Sequence, residues 1–182
     1  MKNLILLLIF ICGAKQSTAQ MRFKNQNAIA INGGAATKGY YGNINYQRQI
    51  SDKGSIIRGD IDYTFTSRNI NVISGNIESN ITTFGVAYSY SLQNIFGNRF
   101  FVQPYLGGFG GFESYGIADS LAEFVDGSTD DGFVYGIYGG LELEYNVSNS
   151  ISITLNGSHS FNLKSDINDN ITKGGGGLKI YF

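Results

Sequence analysis

Six ionisable side chains stand at every second position in strand-like runs: Arg58, Asp60 and Asp62, then Glu142 and Glu144, and finally Lys179. A spacing of two puts each set on one side of a β-strand. Carboxylates beside cations could serve as an acid/base pair or line a proton or ion path. The plainer reading has stronger physics behind it. Unpaired buried charges are costly, so in a narrow interior these groups should pair across the space and plug it. They are read as a structural charge network, and no catalytic residue is assigned.

His159 is the only histidine. A Ser–His hydrolase or acyltransferase would need it beside a serine and an orienting carboxylate. By strand parity it shares a face with Leu155 and Phe161, while Ser158 and Ser160 point the other way. It is read as an interfacial residue near the outer rim. One histidine does not make a histidine metal site. The glycine run 174–177 is not followed by a helix carrying Lys-Ser/Thr, so it is no phosphate loop. In a strand, such glycines permit curvature or close packing.

Cys12 is the only cysteine and lies in a segment expected to be removed. Met1-Lys2-Asn3 gives a basic start, residues 4–12 form an apolar run, and Ser17-Thr18-Ala19 supplies small residues for a signal peptidase. The run is far short of the roughly 20 residues a spanning helix needs. Cleavage is expected before Gln20, leaving 1–19 as signal peptide and 20–182 as one barrel domain. Ile11 is too bulky for the small residue that lipoprotein cleavage at Cys12 would require. The mature chain would then hold no disulfide and no thiol nucleophile. No cofactor, metal or small-molecule substrate is expected. Without Lys2 and Lys15 the 13 basic residues fall to 11 against 14 acidic ones, a net charge of −3. That balance does not attract nucleic acid, so no direct contact with it is expected.

The elements that must hold these residues are strands. Charged residues are 15% of the chain, aromatics 14%, and there are 25 glycines with a single proline. Ordinary soluble domains carry about 25% charged residues. Period-two alternation is clearest over 55–66, 80–92, 132–147 and 151–164, and weaker over 26–34, 39–50, 99–113 and 172–182. That makes about eight strands in an antiparallel up-and-down order. The links 51–54, 93–98 and 148–150 are short, whereas 67–79 and 114–131 are long and polar. Two smaller links, 35–38 and 165–171, fall on the same side as the long ones. Short periplasmic turns alternating with longer outer loops are the layout of outer-membrane barrels. Within the longest link, Ile117, Leu121 and Phe124 have helical spacing, which predicts a short helix over 118–125.

Volume decides which face is inside. An eight-stranded barrel has an interior just wide enough for its own side chains or one small ligand. The face bearing Tyr, Phe, Leu and Ile is too bulky for that space, whereas the Gly, Ser, Thr and Asn face fits. The apolar face therefore points outward, which water disfavours and lipid requires. Tyr40, Tyr63, Tyr88, Tyr90, Tyr135 and Tyr145 could supply interfacial girdles. The chain stops at Phe182, with Ile180 and Leu178 at alternate positions and Gly177 before them. That ending resembles the signal read by the outer-membrane barrel assembly machinery.

The segments Phe133-Val134-Tyr135-Gly136, Gly139-Gly140-Leu141-Glu142-Leu143-Glu144, Leu155-Asn156-Gly157 and Gly176-Gly177-Leu178-Lys179-Ile180-Tyr181-Phe182 resemble the TraO family. These are conjugative-transposon transfer proteins of Bacteroidetes-type bacteria. The stretches 26–34 and 104–108 fit it less specifically. The resemblance implies a non-enzymatic outer-membrane barrel, an accessory part of a mating apparatus, working with outer-membrane lipid, the assembly machinery and other conjugation proteins. The alternative is a general structural or adhesive barrel of the OmpA-like or porin-like type.

Overall fold

A computed structural model describes residues 24–70, 75–92, 99–117, 132–164 and 169–182. The expected signal peptide and the helix predicted over 118–125 lie outside the described residues. Eight strands follow one another: β1 (Asn27–Ala36), β2 (Gly39–Gln49), β3 (Ser55–Ile70), β4 (Gly75–Tyr90), β5 (Phe100–Ile117), β6 (Gly132–Asn146), β7 (Ile151–Lys164) and β8 (Asn170–Tyr181). Each pairs antiparallel with its neighbours in sequence order. β1 also pairs with β8, from Ala28 opposite Tyr181 to Ala36 opposite Lys173, and this seam closes the barrel. Closure gives both lateral edges of the meander a partner, which an open sheet could not do.

The turn end of the barrel holds Lys24 and Phe182, the outermost described residues, and the tight links 50–54 and 147–150. Gly54 adopts φ +100 there, and its carbonyl accepts from Ser91 N at 2.7 Å. A side chain would be strained at that φ, and its Cβ would come within 2.5 Å of Ser91 O. The opposite, loop end is uneven. β2 stops pairing with β3 at Gly39–Thr66, yet β3 and β4 stay paired up to Ile70–Gly75. β5 follows them, with Ile117 opposite Ile77. The polar segment 67–79, expected as a long loop, is therefore mostly strand, and β5 runs past the expected 113. Polar residues stand at most positions of 67–79, so the hydrophobic alternation that reveals a strand is missing there. β6 and β7 carry one further irregularity. Their register steps between Tyr135 and Gly136, so Lys164 stands opposite Tyr135 and Leu163 is the extra residue.

The outer wall is apolar. Ile44, Ile61, Phe84, Val86, Leu106 and Ile137 are all at least half exposed. A continuous wall of this kind belongs against lipid rather than water. The interior is mainly polar, with buried apolar residues such as Ile56 and Phe101 among the polar ones and a small apolar cluster toward the loop end. Ile81, Val134 and Ile171 are buried together, with Ala36 and Phe109 packed against them.

Candidate functional site

Strand parity delivers five of the six predicted charged residues to one layer near the turn end. Arg58 on β3 lies 2.7 Å from Asp60 and reaches across to Glu142 on β6 at 3.0 Å. Lys179 on β8 pairs with the same Glu142 and with Glu144 at 2.8 Å. Glu142, Glu144 and Lys179 have no exposed surface. Neutral donors and acceptors complete the layer. Gln103 donates to Glu144 at 2.7 Å, Tyr181 donates to it at 2.5 Å, and Lys179 donates to Gln47 at 3.0 Å. Two cations thus face three carboxylates, Asp60, Glu142 and Glu144, inside the barrel. Each carboxylate accepts more than one hydrogen bond, which makes such burial tolerable.

Asp62 does not join that layer. It lies toward the loop end, where it accepts from Thr64 at 2.7 Å and pairs with Lys173 at 2.5 Å. Lys173 shares its parity with Lys179 and completes this second tier. Between the tiers is a cavity of about 50 Å³, lined among others by Tyr41, Tyr105, Tyr138, Asn156 and Ser158. That is room for a few waters and no larger solute.

Besides Tyr181, three inward tyrosines were not singled out from the sequence. Tyr138 donates to Asp60 at 2.6 Å, Tyr41 donates to Asn156, and the Arg58 guanidinium lies 4.5 Å from the centre of the Tyr105 ring. Their rings occupy space that glycines leave. A Cβ on Gly85 would come within 2.9 Å of the Tyr138 hydroxyl, and one on Gly140 within 2.6 Å of Tyr105. The lumen is therefore bulkier and more aromatic than a Gly/Ser/Thr/Asn face suggests. Parity alone contained the signal, because Tyr138 lies between Gly136 and Gly140 on the inward face.

The other predicted residues sit on the wall. Leu178, Ile180 and Phe182 are exposed on the outside, more than half of each surface being open. Gly177 instead faces inward at the closing seam, where a Cβ would lie 2.1 Å from Ile31 O. His159 is on the outer wall, its Nδ1 2.8 Å from Thr172 Oγ1, while Ser158 and Ser160 line the cavity inside. Histidine and serine are on opposite sides of one strand, so the geometry builds no Ser–His pair. Among the described residues, no group of three His, Cys, Asp or Glu side chains could hold a metal ion.

No family model matches the chain, and no curated protein matches it. Solved structures do. A major outer membrane protein from Thermus thermophilus matches with a TM-score of 0.66 at 12% identity, covering 86% of this chain and 99% of its own. The outer membrane protein OprG from Pseudomonas aeruginosa matches at 0.62 and 11% identity, covering 90% and 99%. Ail, the attachment invasion locus protein of Yersinia pestis, matches at 0.55 and 13%, covering 88% and 100%. At these identities the likeness is one of fold: this chain has the eight-stranded barrel architecture of outer-membrane proteins.

Proposed function

We propose that this chain is an outer-membrane barrel without enzymatic activity, exported through residues 1–19, and an accessory component of a conjugative DNA-transfer apparatus. The observation that carries the non-enzymatic part is the filled lumen. Two ion-paired tiers and an apolar cluster occupy it, and the cavity among them holds about 50 Å³. Among the described residues a lumen so filled offers little room for a substrate, which leaves the rims and the wall as working surfaces. The conjugative part is supported by the resemblance of residues 133–144 and 176–182 to the TraO family. Its partners on this reading are outer-membrane lipid, the assembly machinery that reads the Gly177, Leu178, Ile180 and Phe182 ending, and other transfer proteins.

Deleting the chain in a donor strain should lower mating frequency, and a plasmid copy should restore it. An unchanged frequency would sink the conjugative role and leave the barrel untouched. The barrel itself is tested by heat-modifiable gel migration of the membrane fraction. A second reading, a general structural or adhesive barrel of OmpA-like or porin-like type, is favoured by the β3–β5 ribbon that stands beyond the rest of the wall. Cells lacking the chain would then mate normally and lose binding to surfaces.

A further inference from the structure

We infer that the turn-end rim of the barrel binds anionic phospholipid of the periplasmic leaflet, with Arg48 as the residue that meets the headgroup phosphate. The inference rests on the membrane reading above and adds a headgroup class to it.

The charges of the chain are sorted by end. The turn-end segments 24–26, 48–55, 91–100 and 146–151 carry four basic residues, Lys24, Arg48, Lys53 and Arg99, against one acidic residue, Asp52. The loop-end segments 36–39, 66–80, 113–132 and 164–173 carry nine acidic residues against four basic ones. The order of the strands fixes the end to which each segment belongs. Each Lys or Arg near an anionic lipid surface contributes about 1 kcal/mol, and each carboxylate opposes it. Such a surface is therefore attracted at the turn end and repelled at the loop end.

Parity places one of the four cations on the wall itself. Gln47 and Gln49 are buried, and Arg48 between them is exposed. Its cross-strand partners are Asn27 on β1 and Ile57 on β3, and Ile57 is exposed on the apolar wall. Cross-strand partners project to one face of a sheet. Arg48 is one residue from the end of β2, so it stands at the foot of that wall. A guanidinium on a lipid-facing wall is costly at the bilayer centre and tolerated at the headgroup level. Tyr46 lies two residues up the same face, its hydroxyl donating to Asn27 Oδ1 at 2.7 Å. Amphipathic rings of this kind settle at the membrane–water boundary.

The guanidinium at this boundary has no carboxylate partner. It donates from Nη2 to Asn25 Oδ1 over a long 3.4 Å. Asp52, the acid of the rim, accepts from the Lys24 backbone N–H at 3.0 Å. Among the described residues the ion pairs lie in the lumen, and none involves Lys24, Arg48, Lys53 or Arg99. The planar fork of arginine matches a pair of phosphate oxygens. Placement on the wall favours lipid over a soluble acidic protein. Such a protein would approach the tips of the turns, where Lys53 stands, whereas the side of the wall at Arg48 faces the bilayer.

The test uses the full mature barrel refolded into phosphatidylcholine vesicles. These contain a trace of spin-labelled phosphatidylglycerol or of spin-labelled phosphatidylcholine, and paramagnetic resonance reads the fraction of each label held at the protein. Wild type should hold phosphatidylglycerol roughly fivefold more strongly in low salt, and less so in 1 M salt. Arg48→Gln should remove most of that preference, while Lys164→Gln at the other end should leave it. A ratio of one for wild type overturns the inference, as does an unchanged ratio in Arg48→Gln or an equal loss in Lys164→Gln. Soluble polyglutamate held by wild type in place of a headgroup preference assigns the rim to an acidic protein and also overturns it. If Arg48→Gln loses its heat-modifiable migration, the low-salt and high-salt ratios of wild type decide. Failure of wild type to insert overturns the membrane reading, whereas insertion with a ratio of one overturns only this inference.

Discussion

Replacing Lys179 with methionine removes the cation shared by Glu142 and Glu144 and keeps most of the volume. Lys179 has no exposed surface, and its ammonium meets Gln47, Glu142 and Glu144. After its loss Glu142 keeps Arg58 at 3.0 Å, and Glu144 keeps the neutral Gln103 at 2.7 Å and Tyr181 at 2.5 Å. One cation then faces three carboxylates in a space closed to bulk water. Removing one partner of a buried pair costs about 3–5 kcal/mol, mostly because the remaining charge is stranded. Lys179→Met should fall in that range, while Glu144→Gln in the Lys179→Met background should recover roughly 1–3 kcal/mol through the coupling of the two sites. The chain holds no tryptophan, so the readout is the folded band on a cold gel across a urea series in phospholipid vesicles. A loss below about 1 kcal/mol, the level of one ordinary hydrogen bond, with no recovery in the double variant would refute the reasoning. The charges would then be screened by lumen water and not by one another.

Three further outcomes follow from the same interior. Gly85→Leu should drive Tyr138 off Asp60 and destabilise the barrel by about 1–3 kcal/mol in the same urea series, because overpacking replaces a ring that already fills the space. Gly177→Val should prevent closure, since its Cβ would meet Ile31 O at 2.1 Å, whereas Gly174→Val should fold, because nothing lies within 4 Å of a Cβ there. Heat-modifiable migration separates the two. In planar bilayers the wild-type barrel should show no steady conductance, and open steps at every insertion would contradict a lumen plugged by two ion-paired tiers around a cavity of about 50 Å³.

Particular residues show why some of this was legible in the sequence and some was not. Parity placed Arg58, Asp60, Glu142, Glu144 and Lys179 on the inward face because lipid outside and a narrow space inside enforce strict alternation along those strands. The same rule gave no strand over 67–79, where the sequence is polar at most positions and hydrophobic alternation carries no signal, although β3 and β4 stay paired there. Asp62 obeys parity but belongs to the tier of Lys173. How far along the barrel a residue sits depends on tilt and stagger, which no single strand records. Tyr41, Tyr105 and Tyr138 were masked by the habit of assigning aromatics to the wall. Each lies inside because a glycine on another strand makes room, and that is a pairwise fact across strands.

The seam between β1 and β8 has a consequence for how the molecule is made. It joins Ala28 to Tyr181, in the first and last strands of the barrel. For a flexible chain, closing a loop of about 150 residues costs roughly 4 kcal/mol, against about 1 kcal/mol for a tight hairpin. Seven ladders are local and can zip in succession, but the eighth cannot form until the last dozen residues have been delivered. Until then the meander carries two open edges and an apolar wall, the features of an aggregating sheet. The slow step of maturation is therefore the final one. An escort that recognises the last strand would act at the moment when the chain is most exposed.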